Sequence, residues 1–212
     1  MIELATMPEL TGPLSLTLCS ITSLRRLCIC RCGLTGHLPA EIGQLNSLEE
    51  LQLFGNQFSG KIPDSLGNLS QLKLLSLGEY TGGNPFDRAP IPECISRLHS
   101  LEALFLAHCE MVGPIPEWLG TLTELRQLDL QCNNFSGDIP SSFKGLTNLL
   151  YLNLKDNRRL GVRKALPIGI FSSMTKLNRL SIVECAWTIS PESIRNLPRH
   201  LPHTKVWYTP HH

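Results

Sequence analysis

The sequence repeats itself every 24 residues, and this period constrains the fold more than any other feature. The phrase at 34–39 (LTGHLP) returns 24 residues later at 58–63 (FSGKIP). The phrase at 111–116 (MVGPIP) returns after the same interval at 135–140 (FSGDIP). Leucines at fixed spacing fill the intervals between these phrases. A unit this short cannot bury its own apolar face, so the copies must stack and share one core.

The leucine spacing predicts one short strand in each unit. In Leu51-Gln52-Leu53 the two leucines point to one side and the glutamine to the other, as the two-residue period of a strand requires. The glycine and proline that follow favour turns and short 3₁₀ segments over long helices. Asn56, Asn133 and Asn157 come where the chain leaves the strand, and their amides are predicted to satisfy buried backbone groups.

The unit LxxLxLxxNxFSGxIPxxLGxL resembles the leucine-rich repeat of the 24-residue plant type, in about eight copies. The resemblance implies an α/β repeat solenoid: a horseshoe with a concave parallel β-sheet and a convex side of turns and 3₁₀ segments. We expect one domain over 1–212, capped at its end with the help of Trp187 and Trp207. Its predicted parts are a degenerate first repeat at 1–23, regular repeats at 24–193 with insertions near 78–90 and 158–167, and a C-terminal cap at 194–212.

Composition and motifs exclude several functions. The formal net charge of +1 argues against nucleic acid as a partner, because phosphate binding needs a concentrated cationic surface. No apolar run approaches the roughly 18 residues of a membrane span, and no secretory signal is visible at the N-terminus. The sequence has no catalytic or phosphate-binding motif. We therefore expect no enzyme activity and no cofactor.

Three of the eight cysteines lie in the segment CICRC at 28–32. Cys32 follows Leu27 by the same five residues that separate Leu51 from Asn56, and Cys109 and Cys185 have the same offset, so these three thiols are predicted to point inward. Cys28 and Cys30 are predicted to lie exposed on the concave surface.

Neither a metal site nor a disulfide is expected from these cysteines. A metal needs about four convergent soft ligands, and no second pair of Cys or His lies on the neighbouring repeats. The distance between Cys28 and Cys30 is at the long limit for a bridge, and no other two cysteines face each other. Free thiols favour a reducing compartment, so the sequence predicts a cytoplasmic protein.

The outward residues of the strands are predicted to form a partner-binding surface. Phe54, Leu74 and Phe105 are apolar where contact with water is the default, and apolar anchors ringed by polar groups are typical of protein interfaces. The predicted concave contacts are Arg26, Cys28, Cys30, Gln52, Phe54, Leu74, Phe105, His108, Gln127, Asp129, Tyr151 and Lys155.

Two insertions interrupt the period and are predicted to form loops on one rim of the concave surface. Five residues are added between Leu77 and Ile91, and Tyr80 is predicted to replace the inward asparagine there. About four are added after Asn157, where four cations either meet an acidic partner or remain solvated. The predicted rim contacts are Tyr80, Phe86, Arg88, Arg158, Arg159 and Arg163.

These features predict a monomeric, non-catalytic module that binds a protein or peptide on its concave face and one rim. The alternative is a secreted or cell-surface recognition domain, like the plant receptor ectodomains or polygalacturonase inhibitors that the repeat resembles. A third possibility is a regulatory segment of a larger enzyme.

Overall fold

Each turn of the chain contributes one strand to a main parallel sheet. The computed structural model describes residues 1–208, so the end of the predicted cap, including His211 and His212, lies outside the described residues. The strands, in chain order, are β1 Ile2–Ala5, β2 Thr11–Gly12, β3 Arg26–Cys30, β4 Gly33–His37, β5 Glu50–Gln52, β6 Gln57–Ser59, β7 Leu74–Gly78, β8 Ala103–Leu106, β9 Val112–Pro114, β10 Gln127–Asp129, β11 Asn134–Gly137, β12 Tyr151–Asn153, β13 Arg159–Leu160, β14 Arg179–Ile182 and β15 Lys205–Tyr208.

Over residues 1–208 these strands form three sheets. The main sheet has nine strands in the order β1-β3-β5-β7-β8-β10-β12-β14-β15, and its neighbouring strands are parallel. Two separate side sheets have three strands each, in the orders β2-β4-β6 and β9-β11-β13. The predicted open solenoid with a parallel sheet is confirmed.

The return segments on the convex side are short helices. Five of them are 3₁₀ helices, and each begins directly after a proline of the repeat phrase, because proline fixes φ and its missing N–H costs nothing at a helix start. The 3₁₀ helices are Ala40–Gln44, Asp64–Asn68, Glu93–Arg97, Glu117–Thr121 and Ser141–Gly145. The α-helices are α1 Leu16–Cys19, α2 Ile168–Phe171 and α3 Pro191–His200. No helix in the described part of the chain is long and apolar enough to span a membrane.

The core is a stack of leucines between the sheet and these return segments. Leu51, Leu75, Leu104 and Leu128 are cross-strand neighbours in register, and each is fully buried. Burying one leucine side chain stabilises the fold by about 1.5–3 kcal/mol, so the stack supplies much of the driving force for folding.

A second stack, of asparagines, satisfies the backbone where each strand turns into the interior. The amide nitrogen of Asn56 donates to the carbonyls of Ile29 (2.7 Å) and Leu53 (2.9 Å), and its carbonyl oxygen accepts from the Leu34 N–H (3.3 Å). Asn133 and Asn157 make the corresponding bonds in two adjacent repeats of the chain's C-terminal half. These positions therefore act as predicted.

The prediction that Tyr80 takes the asparagine position in the first insertion is wrong. Asn84 holds that position: it donates to the carbonyls of Leu53 (2.9 Å) and Leu77 (2.7 Å) and accepts from the Phe58 N–H (3.1 Å). Tyr80 is 76% exposed. Four of the five added residues lie before the asparagine, so the usual offset from Leu77 falls on Tyr80 instead of Asn84.

Phe86 is also placed wrongly by the sequence prediction. It was expected on the rim, but it is 3% exposed and belongs to the core. Phe86 follows Asn84 by two residues, as the buried Phe58 follows Asn56, so the repeat resumes its normal course once the inserted residues have been passed.

Of the two tryptophans predicted to cap the C-terminal end of the core, only Trp187 does so. Trp187 is buried and packs so closely on Gly161 that a side chain at Gly161 would overlap the indole ring. Trp207, which was expected to cover the core, is 46% exposed because it lies on the outward side of β15. Leu197 and Leu201 of the segment around α3 bury themselves in the core instead.

Exchanging Asn84 for alanine should cost at least about 2 kcal/mol of unfolding free energy, because two buried carbonyls and one buried N–H lose their partner. Tyr80→Ala, at an exposed side chain, should stay within about 0.5 kcal/mol. Urea unfolding monitored by circular dichroism measures both. A larger loss for Tyr80→Ala would mean that the asparagine stack runs through position 80.

Leu128→Ala should destabilise the fold by about 2–5 kcal/mol, the usual result of emptying a fully buried leucine site. Leu74→Ala, at a half-buried side chain on the opposite face of the sheet, should cost less than half as much. Equal losses in urea unfolding would show that the two faces have been assigned in reverse.

Candidate partner-binding face

The concave face is formed by the side chains that alternate with the buried leucines of the main sheet. It contains two rows that run across the strands, which we call the first and second rows. The first row is Arg26, Glu50, Leu74, Ala103, Gln127, Tyr151 and Arg179, and the second is Cys28, Gln52, Ser76, Phe105, Asp129, Asn153 and Ser181. Neither row belongs to the main core cluster, although Ser76, Asp129 and Asn153 of the second row are buried.

Asp129 lies at the centre of a polar network on this face. Its carboxylate accepts from the Gln131 N–H (3.0 Å), the Asn153 amide (3.1 Å) and the Tyr151 hydroxyl (3.3 Å). Burial raises the pKa of Asp129 in spite of these donors, and burial together with the Asp129 charge raises the pKa of Tyr151 to about 12. Asp129 was expected on an exposed polar rim, but it is 5% exposed, because neighbouring strands supply the donors that close around it.

Phe105 and Leu74 form the accessible apolar part of the face. Both side chains are half-buried, and Phe105 lies in register between Ser76 and Asp129 of the adjacent strands. The neighbouring Ala103 is small, and Ser76 is fully buried, so neither covers the phenyl ring. Here the predicted apolar surface is present.

Phe54 was predicted to be exposed, and this is wrong. The ring is 9% exposed, with the Arg31 guanidinium 5.6 Å from its centroid. Thr81, in the first insertion, holds the guanidinium in place by accepting from its Nη2 (2.8 Å) and Nε (3.2 Å). The cation lies over the ring and the loop holds the cation there, and a contact across 50 residues could not be read from local spacing.

The same insertion adds a carboxylate that was not among the predicted contacts. Glu79 accepts from the Ser76 hydroxyl (3.2 Å), which lies in the second row. Burial raises the pKa of Glu79, and the nearby Asp129 charge acts in the same direction. The sequence signal for this residue is the repeat offset, since Glu79 follows Leu77 by two residues as Arg31 follows Ile29.

In the CICRC segment, Cys28 is half-buried but Cys30 is 3% exposed, so the expected exposure of Cys30 is wrong. The two sulfur atoms are 3.2 Å apart, and the Cys30 thiol donates to the Gln52 carbonyl (3.4 Å). Arg31 has a left-handed φ of 53°, which breaks the alternation and turns Cys32 into the core. Burial, followed by the contact with Cys28, raises the pKa of Cys30.

The other thiols are separate from one another. Cys109 and Cys185 point into the core as predicted, and burial raises the pKa of each to about 12. Cys132 is half-buried beside Asp156. All eight cysteines are unbridged in the structure. Within residues 1–208, no three His, Cys, Asp or Glu side chains are grouped so that they could hold a metal ion.

The remaining predicted contacts are spread along the face and rim rather than gathered at one point. Arg26 pairs with Glu50 (3.1 Å) and Lys155 with Asp156 (3.6 Å). Arg159 lies in strand β13 rather than in a loop. Gln52 is half-buried, and the side chains of Arg88, His108, Gln127, Arg158, Arg159 and Arg163 are exposed.

Solved plant receptor structures share this architecture. The Arabidopsis receptor kinase HAESA, in complex with the peptide hormone IDA and the co-receptor SERK1, matches with 34% identity and a TM-score of 0.76 over 84% of this chain and 28% of that chain. A TDR receptor matches with 28% identity and a TM-score of 0.78 over 94% of this chain and 33% of that chain. The chain thus spans about a third or less of the length of these receptors. Among curated proteins there is no match.

A third structure bears on the compartment. The LRR ectodomain of the Arabidopsis thaliana membrane receptor kinase GASSHO1/SCHENGEN3, in complex with CASPARIAN STRIP INTEGRITY FACTOR 2, matches with 28% identity and a TM-score of 0.66 over 94% of this chain and 28% of that chain. An ectodomain lies outside the cell. The cytoplasmic location predicted from unpaired cysteines is therefore wrong, because the related repeats are extracellular.

Two family models match the chain. One describes a leucine-rich repeat region and covers residues 4–138, and the other describes a leucine-rich repeat and covers residues 123–163. Since the first model alone matches more than half of the 212 residues, and five successive repeats of the structure pair a strand with a 3₁₀ helix, the chain belongs to the leucine-rich repeat family.

Proposed function

We propose that this chain is the recognition module of a secreted or cell-surface protein and that it binds a peptide on its concave face. The observation that carries the proposal is the pairing of half-exposed Phe105 and Leu74 with the hydrogen-bonded Asp129 network beside them. The apolar side chains offer contact area, and the network holds polar groups in fixed positions. Interfaces combine these two properties.

The dimensions of the face favour a peptide in an extended conformation. Nine parallel strands about 4.8 Å apart make a floor roughly 40 Å long, which equals about a dozen residues of extended chain. The first and second rows run along this floor. A peptide laid across the strands would contact successive members of both rows.

The related receptors support the same mode of action. HAESA is a receptor kinase in complex with a peptide hormone and a co-receptor. The matching part of HAESA is 28% of that chain, so kinase activity and co-receptor binding are not carried over to this protein. The module acts as a monomer without chemistry of its own, and binding is its whole contribution.

Phe105→Ala should weaken peptide binding by more than about 1 kcal/mol, or about fivefold in Kd, because the half-buried ring is an aromatic side chain near the middle of the second row. The probe is a set of peptides selected from a displayed random library against the wild-type protein, with affinities measured by calorimetry. The melting midpoint should hardly change.

Leu16→Ala is the matched control, because Leu16 is an exposed apolar side chain on α1, away from the concave sheet. It should leave Kd unchanged. Selected peptides that bind wild type and Phe105→Ala equally would place the binding site elsewhere and would overturn the proposed role of the face.

Asp129→Asn should alter how stability depends on pH. The folded-state pKa of Asp129 is raised, so the folded protein holds this proton more tightly and its stability falls as pH rises from the ordinary carboxyl value of about 4 through the raised pKa. The variant has no proton to lose there, so its unfolding free energy relative to wild type should increase over that range. Urea unfolding at a series of pH values measures this.

Glu117→Gln is the control of opposite sign. Hydrogen bonds from Ser142 and Ser141 lower the pKa of Glu117, so the stability that this charge contributes is lost as pH falls. A difference between Asp129→Asn and wild type that stays constant with pH would contradict the assignment of a raised pKa to Asp129.

A further inference from the structure

Cys28 and Cys30 form a pair of thiols on the proposed binding face. Their sulfur atoms are 3.2 Å apart, although the two residues are separated by Ile29 in strand β3. Cys28 is in the second row and half-buried, while Cys30 is buried behind it. Two sulfurs in contact on one side of a strand can react with each other once either is oxidised.

We propose that Cys28 and Cys30 are a reversible redox modification site. Low-molecular-weight disulfides such as oxidised glutathione oxidise the two thiols to an intrastrand disulfide. The setting rests on the extracellular location proposed above, since disulfides form and persist in oxidising compartments. Cys32, which is turned into the core, lies outside this site.

The reaction proceeds by two thiol–disulfide exchanges. The Cys28 thiolate attacks one sulfur of glutathione disulfide, forming a mixed disulfide and releasing one glutathione thiolate. The Cys30 sulfur then loses its proton to solvent and attacks the Cys28 sulfur, releasing the second glutathione. Two protein thiols are oxidised to one disulfide, and one glutathione disulfide is reduced to two thiols.

The different environments of the two thiols assign their roles. Cys28 is the accessible sulfur, so it meets the external disulfide first. Cys30 needs no contact with the external disulfide, because its target is the adjacent Cys28 sulfur. Burial raises the pKa of Cys30, so the second step should be the slower one and should accelerate with pH.

The bond is expected to be reversible rather than a permanent staple. Alternate residues of a strand have Cα atoms roughly 6.6 Å apart, close to the upper end of the range of about 4.4–6.8 Å found in disulfides. A strained bridge has a more oxidising potential and is readily reduced. The Cys30 thiol would also lose its hydrogen bond to the Gln52 carbonyl, so closure alters the floor beside Phe54.

The chain offers a direct readout. Trypsin cleaves after Arg26 and Arg31, so residues 27–31 (LCICR) form one peptide that carries both thiols and no other cysteine. Purified reduced protein is equilibrated in glutathione redox buffers, unfolded, alkylated, digested and weighed by mass spectrometry. We expect this peptide to become unalkylated and lighter by two hydrogen atoms, and to regain two alkyl groups after dithiothreitol.

Two variants sharpen the test. Cys30→Ser should stop at glutathione attached to Cys28, and Cys132→Ser, at another half-buried thiol, should leave ring closure unchanged. Glutathione on both cysteines of wild type, persistent alkylation in fully oxidised buffer, or a bridge to Cys32 would overturn the proposal. Because the assay needs no ligand, its result is independent of whether selected peptides bind the concave face.

Discussion

The fold depends on hydrogen bonds that the buried asparagines make where the chain enters the interior. Each strand ends by turning its backbone away from the sheet, and a carbonyl left without a partner there would cost about 1–3 kcal/mol. One amide group serves three backbone groups of two successive repeats, as Asn56 does with Ile29, Leu53 and Leu34. The stack therefore fixes the register of neighbouring turns as well as satisfying them. Where asparagine holds this position, the leucine core closes without leaving these backbone groups unpaired.

The same constraint explains how much of the fold could be predicted. Leucine spacing and the GxIP phrase were sufficient for the parallel sheet, the direction of each strand and the 3₁₀ returns. Counting failed at the first insertion, because four of the added residues precede Asn84 and displace it from its usual offset. A search for the next asparagine followed by a phenylalanine two residues later would have found Asn84 and Phe86. The need for an asparagine that satisfies the buried backbone groups is kept in this repeat, whereas its usual offset from the leucines is not.

The sequence predicts to which side of the sheet each residue of the candidate face points, but not how exposed its side chain is. Alternation along a strand decides which side a residue points to, and Phe54, Phe105 and Asp129 lie outside the core cluster as expected. Whether water reaches them depends on contacts between distant parts of the chain. Arg31, held by Thr81, covers Phe54, and side chains of the next strand close around Asp129. No local pattern in the sequence encodes such pairs.

The compartment was misjudged for a related reason. The absence of facing cysteines in adjacent repeats predicts a reducing environment, yet the related repeats are ectodomains. Cα separations alone do not show where the sulfur atoms lie. In the structure the left-handed conformation of Arg31 sends Cys32 inward and leaves Cys28 and Cys30 side by side.

That left-handed conformation recurs at the strand exits and defines the rim of the face. His108, Cys132 and Asp156 have φ values of 54°, 53° and 55°, and Gly55 holds the same position with a φ of 70°. A non-glycine residue pays roughly 1–2 kcal/mol for this conformation, so glycine at every exit would be more stable. The chain instead places side chains there, and Arg31 shows the consequence, because it reaches across to the first insertion and covers Phe54. The backbone turn that lets each asparagine point inward thus also directs one side chain per repeat onto the rim. The core and the binding face are two results of one local geometry.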